Sequence, residues 1–515
     1  MSSPLVLEQP GRWRAIGLLM LLAPVALAVI PMVKSPEIIE AGFDLGIGYG
    51  NALATSLTVA VAVGIASLLI GFPLGLLCGL YRFPARGLFL VLFALPLLVP
   101  SFLWAIGLAM LRAALGWSPE GVLSGPSAGL MVGTASGFPL VFFSTLLSTS
   151  FITRGQMNAT RIAGGEVLLL RCAAQASLWT AIAAAALAAL AALNDPGPGQ
   201  ILGYRTAAGE ILVSFAAFYD FGLASRQCLA LTAAGLAVAA PLFAAFAARS
   251  PLPLLARDSM PRVARSMAPM PIAIPVVATC VVMITLVPPV IGLALPLLHG
   301  FPVGRTFHEV LRTASATLIY AVGAGVASTV VGFAIAIVVA RADTLRIGAL
   351  VASLILLALP SSLLALGAVQ WSTDSPAALD WLLRSRATVC WILGERFLPV
   401  ALLLGLVAAS RLPPSWAQAA AVHGVSLTTH VRHVLCPWIL RSAALSMALI
   451  AMLATAETGV VLMLRPPGAD SLPVAIFTVM ANAPGSLVSA LCVAYLGSAA
   501  LVLGALRALA ARARP

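Results

Sequence analysis

Long apolar runs recur down the whole chain, separated by short stretches rich in arginine, glycine and proline. They predict spans near residues 15–33, 52–80, 87–111, 128–151, 176–193 and 226–248, then near 270–293, 313–340, 347–369, 387–409, 438–464 and 485–506. Each is long enough for a helix to cross a bilayer, which takes roughly 20 residues, with tilt where the run is longer. The period-two alternation of membrane strands is absent. Backbone groups in hydrocarbon must be paired within their own segment, which leaves helices. The predicted fold class is an all-α polytopic membrane protein with about 12 transmembrane helices. The first run follows Arg12 and Arg14, as in a signal peptide. It reaches spanning length, however, and Pro31, Lys34 and Pro36 follow it instead of a small-residue cleavage pattern, so a first transmembrane helix is expected.

The pattern also repeats. Gly71-Phe72 matches Gly332-Phe333 at an offset of 261, and Leu95-Pro96 matches Leu359-Pro360 at 264. Pro139 matches Pro399, and Gly164 matches Gly424, both at 260. Two parallel copies of a six-helix unit are expected, residues 1–248 and 271–515. Residues 249–270, with Arg249, Arg257, Arg262, Arg265 and several prolines, are expected to form a stiff polar linker between them.

Composition sharpens this picture. Of 515 residues, 61% are hydrophobic and 9% charged, with mean hydropathy +1.06, which excludes a soluble globular protein. The net charge of +12 reports topology, not a nucleic-acid partner. Twelve spans place both termini on one side. That side carries 19 basic residues against four acidic ones, and the other side nine against 11. The excess of arginine predicts that both termini are cytoplasmic, in a bacterial inner (plasma) membrane. The seven cysteines form no C-x-x-C pair and read as small hydrophobes. His423, His430 and His433 lack the further ligands that a metal site needs, so no metal and no cofactor is expected.

Each half has one long loop on the arginine-rich side, after its fourth span. The first runs from Gln156 through Asn158, Ala159, Thr160, Gly164 and Gly165 to Ser177; the second runs from Gln418 through Ala419, Ala420, Gly424 and Val425 to Pro437. Both read as a short alanine-rich helix, a glycine break and a second helix leading into a span. Pro437 is placed to open that next helix.

These loops resemble the signature of the permease subunits of binding-protein-dependent ATP-binding-cassette (ABC) importers. That signature is Glu-Ala-Ala, three residues, Gly, and Leu-Pro about 13 residues on. Ala419, Ala420, Gly424 and Pro437 match it, with Gln418 in place of Glu. Ala159 and Gly164 match it in the first copy, with Asn158 for Glu, Thr160 for Ala and Ser177 for Pro. Phe218-Tyr219-Asp220-Phe221-Gly222 and the stretch Asn194 to Gly199 are similar to segments of the fused, two-repeat permeases of the iron(III) and thiamine type. The resemblance implies a type I importer permease fold and an alternating-access pathway for a small solute. It implies two copies of a cytoplasmic ABC ATPase gripping the loops, and a periplasmic solute-binding protein outside.

The motor would have to be another chain. A phosphate-binding P-loop needs Gly-Lys-Ser/Thr, and the single lysine, Lys34, follows Val33 outside any glycine-rich loop. The chain is therefore expected to be no enzyme, with ATP bound by the partner subunits and the lipid bilayer as its surroundings. Asp195, Glu395 and Glu457 are pathway or gate candidates, because charge within a membrane is costly and often functional. The plainer expectation is helix-to-helix pairing, with Arg396 beside Glu395. The main alternative is a 12-span secondary transporter driven by an ion gradient. Such carriers place charged signatures between their second and third spans, where this chain has only Tyr81 to Arg86.

Overall fold

In the computed structural model the apolar runs are helices. It describes residues 17, 19–24, 26, 44–118, 121, 123–249, 268–269, 273–340, 343–374, 381–410, 412 and 414–512. Among them, eight helices are long and apolar enough to cross a membrane, and three bent helix pairs would raise the number to eleven. The chain is thus an all-α, multi-pass membrane protein. The exception is a two-residue parallel pairing of β1 (Tyr81–Arg82) with β2 (Ala268–Pro269). Most of the span expected at 15–33 and most of the 249–270 linker lie outside the described residues.

One order of elements occurs twice. The first series is α1 (Tyr49–Leu80), the bent pair α2 (Arg86–Leu98) and α3 (Ser101–Ala114), α4 (Gly125–Thr149), α5 (Arg154–Leu193), the short α6 (Gly197–Leu202) and α7 (Ala207–Ala216), and α8 (Phe221–Arg249). A second bent pair follows, α9 (Ala273–Thr285) and α10 (Val287–Ala294). The second series is α11 (Val303–Val339), the bent pair α12 (Asp343–Ala358) and α13 (Ser361–Asp374), α14 (Arg386–Ser410), α15 (Pro414–Val422), α16 (Leu427–His430) continuing through a π-helical turn into α17 (Cys436–Ala456), the short α18 (Gly459–Leu464) and α19 (Leu472–Val479), and α20 (Gly485–Arg512).

Three expectations need correction. The runs at 87–111 and 347–369 are not single straight helices: α2 and α3 meet at 97°, α12 and α13 at 87°. Pro100 and Pro360 cause both breaks. Proline lacks the N–H that would continue the helix and pushes the residue before it toward extended backbone, as at Val99 (φ −111°, ψ 127°). The equivalent prolines are therefore Pro100 and Pro360, 260 apart, and not Pro96 and Pro360. The run at 270–293 also bends, by 44°, between α9 and α10, ahead of Pro288 and Pro289. The run at 438–464 stops at Ala456, and Glu457 is extended (φ −82°, ψ 113°).

Small residues let the long helices touch backbone to backbone, as association within lipid requires. A Cβ on Gly71 of α1 would lie 2.6 Å from the Phe138 carbonyl oxygen and 2.8 Å from Val141 Cβ on α4. A Cβ on Gly332 of α11 would lie 2.6 Å from Ala401 Cβ and 2.9 Å from Leu402 N on α14. These are the same contacts one repeat later. Around the first contact, Phe93 meets Phe138 and Phe142 edge-on, with ring centroids 5.4 and 5.0 Å apart. The opposite face of α11 presents Leu311, Leu318, Val322 and Val330 outward, as a lipid-facing surface should.

The halves also exchange helices. Gly292 of α10 packs against the Gly107 backbone of α3, and a Cβ on Gly107 would lie 2.8 Å from the Pro289 carbonyl carbon. Reciprocally, Gly17 lies against Leu345 and Gly348 against Leu21, so the first described residues pack on α12 of the second series.

Replacing Gly71 by valine should lower stability by about 1–3 kcal/mol, since the nearest atoms belong to backbone and cannot yield. The measurement is the thermal midpoint of the purified protein in detergent; an unchanged midpoint would show that α1 and α4 are not in this contact.

Candidate functional site: two exposed turns and two capped helix breaks

The first loop begins with a capping box. Thr153 Oγ1 accepts the Gln156 N–H (3.2 Å), and Gln156 Oε1 accepts the Thr153 N–H (2.9 Å). The helix runs through Asn158, Ala159 and Thr160 and turns at Gly164 (φ −163°) and Gly165 (φ +69°) before continuing to Leu193. In the second loop α15 ends in a Schellman motif: the Val425 N–H reaches the Ala420 carbonyl (2.9 Å), and the Gly424 N–H reaches that of Ala421 (3.2 Å). Gly424 has φ +64°, a conformation that favours glycine. Ser426 Oγ then accepts the Thr429 N–H, opening α16.

Both loops are thus helix, glycine turn, helix. The left-handed residue of the first is Gly165, one position beyond the expected Gly164. Pro437 does not open the following helix, which is already running from Leu427. The π-helical turn Val431–Leu435 precedes the proline, and its wider hydrogen bonding accommodates the missing N–H.

Gln418, Ala419 and Gly424 are exposed, as are Asn158, Ala159, Gly164 and Gly165; Ala420 is buried. Beside each turn stands an apolar side chain that the motif comparison missed, Ile162 (88% exposed) and Val422 (83% exposed). They are 260 residues apart, the offset of Pro100 and Pro360. Their shared offset and apolar character were visible in the sequence, whereas their exposure was not. The first turn is also braced. Arg161 Nε bonds Glu166 Oε1 across it (2.7 Å), and the Tyr81 hydroxyl of β1 donates to Glu166 Oε2 (2.7 Å). Burial, with Glu166 adding to it, pushes the Tyr81 hydroxyl up to about 12, so it stays a donor.

Deep in the molecule, residues of one series finish the helix breaks of the other. A helix leaves its last carbonyls without partners, and hydrocarbon offers none. At the second break, Asn194 Nδ2 from the end of α5 reaches the Ala358 carbonyl (3.3 Å). Arg396 Nη1 of α14 donates to the Leu356 carbonyl (3.3 Å) and to that of Leu359. At the first break, the Tyr495 hydroxyl of α20 donates to the Leu98 carbonyl (3.1 Å) and lies 2.8 Å from Thr455 Oγ1. Leu98 and Ala358 are 260 residues apart.

The acidic candidates Asp195 and Glu457 occupy matching places beside these breaks. Asp195 accepts the Gly197 N–H (2.9 Å) and the Ser101 hydroxyl. Glu457 accepts the Gly459 N–H (3.1 Å), and Ser361 lines the same glycine, where an added Cβ would lie 2.7 Å from its Oγ. Glu457 acts electrostatically on both Asp195 and Arg396. The structure therefore brings Asp195 and Glu457 together. The Pro-Ser pairs Pro100-Ser101 and Pro360-Ser361 could have located the site from sequence.

Glu395 is not part of this cluster. Successive residues of a helix do not face one way, and Arg396 spends its guanidinium on the break carbonyls. Among the described residues no Glu395–Arg396 ion pair forms, which corrects the expected pairing. The stretches 195–225 and 465–484, expected as loops, contain the short helices α6, α7, α18 and α19. Comparison with protein-family models, with curated proteins and with solved structures gives no match.

Asn194→Ala and Tyr495→Phe should each cost about 1 kcal/mol, a typical net value for one hydrogen bond, here between helices in a membrane. Because they cap different breaks, the double variant should lose the sum. Unfolding of the purified chain by SDS titration checks this, and no loss in either variant would mean that the carbonyls find other partners.

Proposed function

We propose that the chain is the transmembrane permease subunit of an ABC importer, with the type I permease fold. Small solutes of the iron(III) or thiamine kind, delivered by a periplasmic binding protein, would cross between the two halves. Separate ATPase subunits would dock on the two exposed turns at the cytoplasmic side. The observation that carries this reading is the pair of turns itself: helix, left-handed glycine and helix at Gly165 and at Gly424, each with an exposed apolar residue beside it. An isolated surface helix has no reason to recur with Ile162 and Val422 in register. Large exposed apolar side chains outside the hydrocarbon want a partner.

The mechanics follow from the connectivity. After its turn α5 runs from Glu166 to Leu193, on the order of 40 Å at about 1.5 Å per residue, and ends at Asn194 and Asp195. From Leu427 the second helix runs a similar distance to Glu457. A push on either turn is thus delivered to an acid beside a helix break, and through Asn194 to the break of the other half. Closure of two ATPases against the turns would rock the halves, opening the pathway to one side and then the other. Asp195 and Glu457 stand where such a gate would lie.

Gly424→Val should abolish transport, because a β-branched residue resists φ +64°. Ile162→Asp with Val422→Asp should release the ATPase during purification while leaving the thermal midpoint unchanged. Transport that continues in cells lacking any ATPase partner would overturn the reading.

A further inference from the structure

Glu395 and Ser328 share a cavity that the transport reading does not use. Ser328 lies on α11 and Glu395 on α14, at a close helix crossing: a Cβ on Gly394 would lie 3.3 Å from Ser328 N. Glu395 is 8% exposed and Ser328 1%. Glu395 Oε1 and Ser328 Oγ are both buried without a hydrogen-bond partner. Both residues line one cavity of about 360 Å³, whose other walls are apolar and include Met20, Pro24, Val330 and Trp391.

Buried polar atoms are normally satisfied, and two orphans meeting in one cavity point to a missing partner. A carboxylate there needs a donor and, at best, a counter-charge. The Arg396 guanidinium next to it is committed to the carbonyls of the second break. A neutral hydroxyl would satisfy the hydrogen bond but not the charge. A primary ammonium does both, and its spare N–H groups can reach the serine hydroxyl. Trp391 adds an indole, which attracts cations. The remaining walls would take an apolar body entering from the lipid side, where Val330 is 64% exposed.

We infer that this cavity is a membrane-facing binding site for a small lipophilic primary amine, held by Glu395 and Ser328. The probe is 2-(1-naphthyl)ethylamine, with 2-(1-naphthyl)ethanol as its neutral match, in equilibrium dialysis against the full chain in nanodiscs and against empty nanodiscs. The amine should bind saturably at one site, and the alcohol should only partition into lipid. Glu395→Gln should weaken amine binding at least tenfold and Ser328→Ala about threefold. Should Glu395→Gln fail to fold, Val330→Trp fills the cavity from its lipid-exposed rim and should abolish binding. Equal binding of amine and alcohol, or amine binding unchanged in Glu395→Gln or Val330→Trp, would overturn the inference.

Discussion

Within a bilayer a helix that breaks leaves carbonyls with no water to turn to, and the rest of this structure is arranged around two such breaks. Pro100 and Pro360 interrupt two apolar runs and turn the chain through nearly a right angle each time. The freed carbonyls are taken up by Asn194, Arg396 and Tyr495. Two of these three, Asn194 and Tyr495, come from the opposite series of helices. The interface between the halves is therefore a requirement of each half's own backbone. It is reinforced by the exchange in which α10 packs on α3 and the first described residues pack on α12.

The same arrangement makes the centre of the molecule sensitive to its ends. Asp195 and Glu457 hold glycine N–H groups just beyond the helices that start at the glycine turns. The small-residue contacts of α1 with α4 and of α11 with α14 leave little room for those helices to deform separately. Movement is more easily accommodated between the halves, where a few hydrogen bonds join helix ends, than within them. In this reading the turns are handles and the capped breaks are the hinge region they work on.

Much of this was legible in the sequence because hydrophobic length and glycine placement are local signals. The apolar runs gave the helices, and Gly165, Gly424 and their alanine-rich flanks gave the turns. The breaks were not legible, since a right-angle bend leaves composition unchanged and Leu95-Pro96 matches Leu359-Pro360 as well in letters as Pro100 matches Pro360 in space. Pro96 sits within α2 without ending it. Adjacent letters also misled at Glu395 and Arg396, which a helix sends to different neighbours. Asn194 drew notice only as part of a glycine-rich stretch, because the carbonyl it caps is 164 residues away.

The most direct test places a photo-crosslinking amino acid at Thr160 and, separately, at Ala421 in the full-length protein in its native membrane. The account predicts that both positions capture the same ATP-binding chain, and that Ile162→Asp removes the adduct at the first turn while Val422→Asp removes it at the second. Failure of both positions to capture an ATPase, while the protein is present and transporting, would contradict it.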